Sequence, residues 1–479
     1  MTQEAKLRFA PQRVGGRWTG SAERSSVLDK FTGEKIGEVA HSTQEDVQAA
    51  VAAARHSFEA NKLEPYLRYQ ILIKAAGLIE KRRKELETTI IAEAGLPLVD
   101  ASNEVTRSAE VFTTSAEEAK RLTGTGVPIE GAAGQAQRMA FTIRVPRGVV
   151  CGITSFNSPL NMVAHKVAPA LASGNSVVIK PAEQTPLSPV ILTEILLDAG
   201  LPPSHMQLLQ GPGAKAGQWL IENRDIDFYS FTGSTEVGRH IRQIVGLRPN
   251  AMELGSIAAT IVAEDADLER AAVRVAASGF RRAGQSCNST QRLYVHEPVL
   301  EDFTALLLRE TGMLPVGDPH DPRTIVGPMI SEADAMRAER WVTEAVAQGA
   351  RLLCGGRRER SLFYPTILTD VDSEMRVMSE EIFAPVLSIV PFGSFEDAIA
   401  QANATPFGLG VGVFTQDLTR ALSAARQLHF GIVHINETSS SRVDMMPFSG
   451  VKESGIGGEG PRYAMEAMTE ERLITISLA

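Results

Sequence analysis

The chain has 479 residues, 43% of them hydrophobic and 22% charged, with a formal net charge of −9. A surplus of acid argues against nucleic acid as a main partner, which needs a basic face, and no apolar run reaches the ~18 residues of a membrane span. The length exceeds one ordinary core, so two or three domains are expected.

The opening stretch, MTQEAKLRFAPQR, lacks the apolar core of a secretory signal, so a cytoplasmic location is expected. Residues 1–40 read as an extended arm with turns at VGGRW and FTGEK. Ser42–Ala60 is an amphipathic helix, capped by Ser42 or Thr43 and supported by Glu45 or Asp46. Two further helices are expected over Leu67–Leu86 and Ser102–Arg121. The glycine-rich alternation of residues 124–147 predicts a protruding hairpin with a polar tip.

From Gly148 the pattern becomes strand, helix, strand, helix. GVVCGITSF, SVVIKP, MQLLQG and IDFYSFTG are short apolar runs. Helical segments follow each of them, the first closed by Gly174 and the second by Gly200. Such alternation means a parallel, doubly wound sheet. After Glu253 it restarts with ATIVAE, a helix over Asp267–Arg282, the strand RLYVH and a helix over Leu300–Leu314, giving a second α/β domain to about Ile435. The tail EERLITISLA alternates like a strand and could join the 124–147 hairpin in a small extra sheet, a natural subunit contact.

Two residues carry the chemistry. Cys287 sits in a small polar turn, GQSC, where Gly284 permits a tight backbone and Gln285 can tie the turn down. A thiol placed there can meet a substrate, and its own N–H can face a developing oxyanion. Glu253, in MELGS, lies 34 residues upstream and reads as the base. The other cysteines, Cys151 and Cys354, are far apart in sequence. They read as structural, so neither a disulfide framework nor export to an oxidising compartment is expected. With no CxxC and no HExxH, no metal site is expected.

FTGSTEVGRHI suggests a dinucleotide turn. Gly233 and Ser234 precede a helix whose first N–H groups would favour a pyrophosphate. Lys180 and Glu183 leave the carboxyl end of a buried strand, where ligands bind in open α/β sheets. A carboxylate there accepts both ribose hydroxyls and repels a 2′-phosphate, so NAD is expected, with NADP possible.

TSFNSPL, KPAEQTP, FTGSTEVG, MELGS, GQSC, EEIFAPV and PFSGVKESG occur in this order along nearly the whole chain. Together they resemble the NAD(P)-dependent aldehyde dehydrogenase superfamily, in its hydrolytic, non-acylating form. The resemblance implies a Rossmann-like cofactor domain, a second α/β catalytic domain and a small β oligomerisation element. The cofactor domain would take residues 1–123 and 148–253, and the catalytic domain 254–435. Residues 124–147 and 460–479 would be the oligomerisation hairpin and tail, and 436–459 a substrate loop bridging the parts. A homodimer or homotetramer is implied.

The resemblance also assigns roles. Cys287 matches the nucleophile and Glu253 the general base, Asn157 the side-chain half of the oxyanion hole, and Lys166 a lysine in the proton path. Lys180 and Glu183 match adenosine-ribose contacts, Gly233 and Ser234 the pyrophosphate turn, and Glu381, with Phe383 behind it, the nicotinamide-ribose contact. Departures stand at Ser256, Ala384 and Ser449, each in place of a usual glycine, and IGGEG lacks a usual arginine. None removes a catalytic group.

The substrate walls implied by the resemblance are polar here. Asn157, Asn161 and His165 recur every four residues, so they are expected to share a helix face. Asn288 flanks the cysteine, Arg442 and Phe448 come from the loop near PFSG, and Arg107 is a further candidate on an earlier helix. Arg442 could hold a carboxylate, sulfonate or phosphonate by paired hydrogen bonds, unless a carboxylate of the protein engages it first. INETSSSRVDMMPFSG is similar to the lactaldehyde, glyceraldehyde and phosphonoacetaldehyde branches, so a small hydroxylated or anionic aldehyde is expected. The alternatives are an aromatic or aliphatic aldehyde, a CoA-acylating reaction, which the presence of Glu253 argues against, or an inactive structural homologue.

Overall fold

The computed structural model describes residues 7–477. Residues 1–6 of the expected arm and 478–479 of the expected tail lie outside it. Helix α1 (Gln44–Ala60) starts at a capping box. The Thr43 hydroxyl accepts from the Asp46 N–H, and the Asp46 carboxylate accepts from the Thr43 N–H.

The segment expected as one helix over Leu67–Leu86 is two, α2 (Pro65–Lys81) and α3 (Arg83–Ala94). The break is at Arg82, whose guanidinium is pinned by Glu85 at 2.8 Å and Glu194 at 2.7 Å. Beyond it the chain turns to bury Leu86, Ile90 and Ile91. Helix α4 (Leu98–Ala119) begins four residues before the expected Ser102, directly behind Pro97, whose fixed φ leads into it.

The hairpin is present. Its long strand β1 (Arg138–Pro146) pairs antiparallel with Gly126–Val127. The cofactor-side sheet then follows the expected alternation: β2 (Val149–Ile153), α5 (Asn161–Ala172), β3 (Ser176–Lys180), α6 (Leu187–Ala199), β4 (Met206–Leu208), β5 (Phe228–Thr232), α7 (Thr235–Val245) and β6 (Asn250–Glu253). Its parallel core runs in the order β6-β5-β2-β3-β4, with short antiparallel strands at both edges. Alternate side chains feed two cores. Val150, Val177 and Ile179 pack with α2 to α6, whereas Val149, Cys151, Val178 and Tyr229 pack with α1 and α7.

From Glu253 the chain passes through Leu254–Ala258, buried at every residue, straight into β7 (Ala259–Val262) of a second sheet. That sheet continues through α8 (Leu268–Phe280), β8 (Arg292–His296), α9 (Leu300–Gly312), β9 (Thr366–Thr369), β10 (Val386–Phe392), β11 (Gly410–Phe414) and β12 (Ile432–Ile435). Its parallel strands lie in the order β9-β10-β8-β7-β11-β12. The chain closes with α10 (Pro461–Ala467) and β13 (Thr469–Ser477), which pairs with β1 along nine residues. Hairpin and tail thus form one three-stranded sheet. No helix among the described residues is long and apolar enough to cross a membrane.

Candidate active site

The strand order of the first sheet reverses direction between β2 and β5, and ligands of open α/β sheets sit at the carboxyl ends flanking such a point. Here the loop after β2 carries Asn157, the turn after β5 carries Gly233 and Ser234, and β6 ends in Glu253. All four face a cavity of about 650 Å³ whose opposite side is the Cys287 turn.

That turn is held in an uncommon conformation. Arg282, Ala283 and Gly284 follow one another at φ 54°, 52° and 66°. Only glycine fits at 284, because a Cβ there would come within 2.1 Å of the Ala384 carbonyl oxygen. The Gln285 side chain accepts from the Ile330 N–H at 2.9 Å, and the Gln285 carbonyl accepts from Asn157 Nδ2 at 2.9 Å. Ser155 donates to Asn157 Oδ1 at 2.7 Å, which fixes the amide orientation. The Arg282 guanidinium reaches across to the Ser158 hydroxyl and lies 3.4 Å from the Asn157 carbonyl. Nucleophile turn and asparagine loop are therefore laced together.

Cys287 packs beside Leu409, Ile432 and Phe448. Burial pushes its thiol up to about 12. Arg442 opposes that shift, and Glu253 adds to it. Glu253 is 4% exposed, and neither of its oxygens has a hydrogen-bond partner among the described residues. Burial, reinforced by Glu459, raises its carboxyl well above the usual range, against Arg442 and Lys166. An unpartnered, hard-to-ionise carboxyl thus shares the cavity with a buried thiol.

Behind this pair runs a buried charge network. Arg107, on α4, grips Asp444 with two bonds of 2.8 and 2.6 Å. Asp444 also meets His165 Nε2 at 2.8 Å, and Arg442 Nη2 lies 3.3 Å from the same nitrogen. Arg442 pairs with Glu459 at 3.2 Å. Glu459 accepts from Lys166 at 2.9 Å, and Lys166 donates to Thr232 at 2.7 Å. Burial lowers the His165 imidazole and Arg442 lowers it further, while Asp444 and Glu459 oppose the shift. Burial works to raise Glu459 and Asp444, but their cationic partners hold both well below the usual carboxylate range.

Of the residues expected to meet a dinucleotide, Gly233, Ser234, Glu381 and Phe383 line the cavity, whereas Lys180 and Glu183 do not. Ser234 caps α7 by accepting from the Val237 N–H, leaving the first N–H groups of an eleven-residue helix at the cavity wall. Lys180 ends β3, where burial lowers its ammonium to about 8, and Glu183 is exposed nearby. Glu381 accepts from the Ser256 N–H at 3.0 Å, and burial raises its carboxyl to about 7. A Cβ at Gly255 would come within 2.8 Å of that carboxylate. Phe383, at φ 49°, meets Phe156 edge-on at 5.8 Å. The substituted Ser256 keeps its N–H on Glu381, and Ala384 supplies the carbonyl that demands Gly284.

Of the expected wall residues, Arg107, Asn288, Arg442 and Phe448 line the cavity. Asn161 and His165 do not. Both are 1% exposed, and both turn to Asp444 within the network, since every residue of α5 is buried. Arg442 packs its guanidinium 3.9 Å over the Phe448 ring. Glu459 and Arg282 are structurally central yet had no expected role. Glu459 stands between glycines in an irregular segment with no period to mark it, and Arg282 falls at the predicted end of α8.

The family model described as the aldehyde dehydrogenase family matches residues 18–474. The chain belongs to that family. It is 46% identical over 478 residues to a 3-sulfolactaldehyde dehydrogenase of Priestia aryabhattai, covering 100% of both chains. A lactaldehyde dehydrogenase of Methanococcus aeolicus is 35% identical, with 97% of this chain and 99% of that one covered. Among solved structures, an NADP-dependent glyceraldehyde-3-phosphate dehydrogenase of Bacillus halodurans, complexed with NADP, superposes with a TM-score of 0.96 at 35% identity. The match covers 99% of this chain and 100% of that one. An oxidoreductase acting on aldehydes thus stands behind the cavity just described.

Proposed function

We propose that this aldehyde dehydrogenase oxidises a small hydroxylated, anionic aldehyde to its acid, with NAD as the preferred cofactor and NADP as a possible one. Cys287 adds to the aldehyde carbon and gives a thiohemiacetal. The Cys287 N–H and the Asn157 amide stabilise its oxyanion, about 3 kcal/mol per donor in comparable sites. When bound, the nicotinamide accepts the hydride that leaves this carbon. The thioester that remains on Cys287 is hydrolysed by water from which Glu253 takes a proton. Lys166, held by Glu459 and Thr232, stands in the path by which that proton leaves. A CoA-acylating reaction has no use for Glu253.

The observation that carries this is the pairing of a partnerless Glu253 carboxyl with a thiol in a cavity whose wall ends in Arg442. The dinucleotide would be held by Lys180 and Glu183 at the adenosine ribose, by Gly233 and Ser234 at the pyrophosphate, and by Glu381 at the nicotinamide ribose, with Phe383 behind it. The Glu183 carboxylate favours NAD. Arg442 lines the cavity with Nη2 engaged by Glu459 and Nε without a hydrogen-bond partner among the described residues, so the protein does not use up its guanidinium and a substrate anion can be seated there. Arg107, Asn288 and Phe448 complete that end. Asn161 and His165 act behind the wall, by fixing Asp444. The 46% identity to a 3-sulfolactaldehyde dehydrogenase supports a three-carbon hydroxyaldehyde bearing an anion.

One observation favours the apolar alternative: His165 Nε2 and Arg442 Nη2 are engaged inside the protein. The deciding experiment is initial-rate NADH production on 3-sulfolactaldehyde, lactaldehyde, glyceraldehyde 3-phosphate, hexanal and benzaldehyde, each with NAD and NADP. A kcat/KM preference for the anionic members is expected. Preference for hexanal or benzaldehyde overturns the anionic reading and leaves the Cys287 chemistry standing. The three-stranded sheet of hairpin and tail exposes Met139, Ile143 and Leu473, which supports its use in a homodimer or homotetramer. We assign the enzyme to the cytoplasm, in keeping with its free thiols.

A further inference from the structure

Beside the general base, two cations share one carboxylate: Arg442 and Lys166 meet Glu459 at 3.2 and 2.9 Å, while Arg107 and His165 hold Asp444. Glu253 lies opposite Thr232 in the β5–β6 ladder, and the Thr232 hydroxyl touches both Lys166 and Glu459, at 2.7 and 3.2 Å. An anion brought in by the substrate and seated on Arg442 would change the balance of charge around Glu253.

We propose that Arg442 and Glu459 couple the charge of the bound acyl group to the general base, so that an anionic acyl chain makes Glu253 a stronger base than a neutral chain does. The inference rests on Arg442 being the anion seat. Glu253 is faced by Glu459 and Arg442 from the loops before α10, by Lys166 from α5 and by Cys287 across the cavity. Of these, Arg442 and Lys166 favour its ionised form and Glu459 disfavours it. An anion on Arg442 cancels one of the two favourable charges and leaves Glu459 opposed by Lys166 alone. Glu253 then holds its proton to higher pH and, once ionised, takes one from water more readily. The cognate chain thus strengthens the base that releases it, while a neutral aldehyde of equal length meets a weaker one.

The test compares 3-sulfolactaldehyde with lactaldehyde, which share the three-carbon hydroxyaldehyde frame and differ by the sulfonate. The steady-state kcat is followed from pH 5.5 to 9.5, after a burst of NADH has shown that hydrolysis limits turnover. In the wild-type enzyme the acid limb for the sulfonated substrate should lie about one pH unit above that for lactaldehyde. In Arg442→Gln the two limbs should coincide, and in Arg442→Lys, which keeps the charge, the gap should persist. Coincident limbs in the wild type overturn the coupling. So does a gap that survives in Arg442→Gln, since the anion would then act on Glu253 without Arg442. The seat is scored separately by KM. A KM rise in Arg442→Gln at least tenfold larger for 3-sulfolactaldehyde than for lactaldehyde supports it. Equal effects on both substrates refute it, whatever the pH profiles show. Arg442→Lys also serves if the glutamine variant does not fold.

Discussion

Glu253→Gln separates the two halves of the reaction. Neither carboxylate oxygen of Glu253 bonds to the protein, so the nearly isosteric amide breaks no hydrogen bond of the fold. The loss should therefore fall on proton transfer alone. A positioned general base contributes about 10²- to 10⁴-fold, or roughly 3 to 5 kcal/mol of barrier. In a stopped-flow assay the variant should release close to one NADH per chain at the wild-type rate, then turn over more slowly by that factor. Stability gives a second readout. Folding raises the Glu253 carboxyl, so its favourable contribution is complete below its unfolded value, near 4.5, and is lost as pH climbs through the folded value. The variant has nothing to lose there. Its Tm should match the wild type at pH 4 and exceed it increasingly towards pH 9. Loss of the burst together with turnover would refute the assignment and place the Glu253 proton in the thiol step. Undiminished turnover would mean that another base serves.

The Cys287 thiol, pushed up to about 12 by burial, should react with iodoacetamide at a rate that climbs about tenfold per pH unit from 7 to 10, where an ordinary thiol levels off near 9; a plateau below pH 8.5 contradicts the burial argument. Gly284→Ala should lower Tm. The left-handed backbone alone costs about 1 to 2 kcal/mol, and the added Cβ meets the Ala384 oxygen at 2.1 Å. A melt at the wild-type temperature would show that the Cys287 turn can relax at no cost.

Much of this was legible in the chain because the relevant signals are local. Short apolar runs between amphipathic helices gave the doubly wound sheet, and a glycine two residues beyond Arg282 marked the tight turn before Cys287. The spacing of Asn157, Asn161 and His165 put the last two on one face of α5, but Asn157 falls in the loop before its first turn. It could not say which way that face points, because α5 is buried on every side and periodicity distinguishes faces only when one of them meets water. The break at Arg82 was hidden for a similar reason: it is set by Glu194, more than a hundred residues away. Glu459 was invisible as well. Its importance comes from Lys166 and Arg442 converging on it in space, and nothing in IGGEG announces either partner.

The span Leu254–Ala258 works as a strut. Its backbone is pinned by Ser454 at Leu254, by Thr235 at Gly255 and by Glu381 at Ser256, and the Ala258 carbonyl takes two N–H groups from the start of β8. With a strut that short between them, the two sheets cannot rock apart like jaws without dragging the Glu253 carboxyl off the thiol. The loop after β12 carries no such constraint: it lines the cavity at Val443 and leaves Val443 and Met445 55% and 63% exposed. Changes in that wall should leave the gap between thiol and carboxyl as it is. Changes in the strut alter the gap across which the chemistry happens.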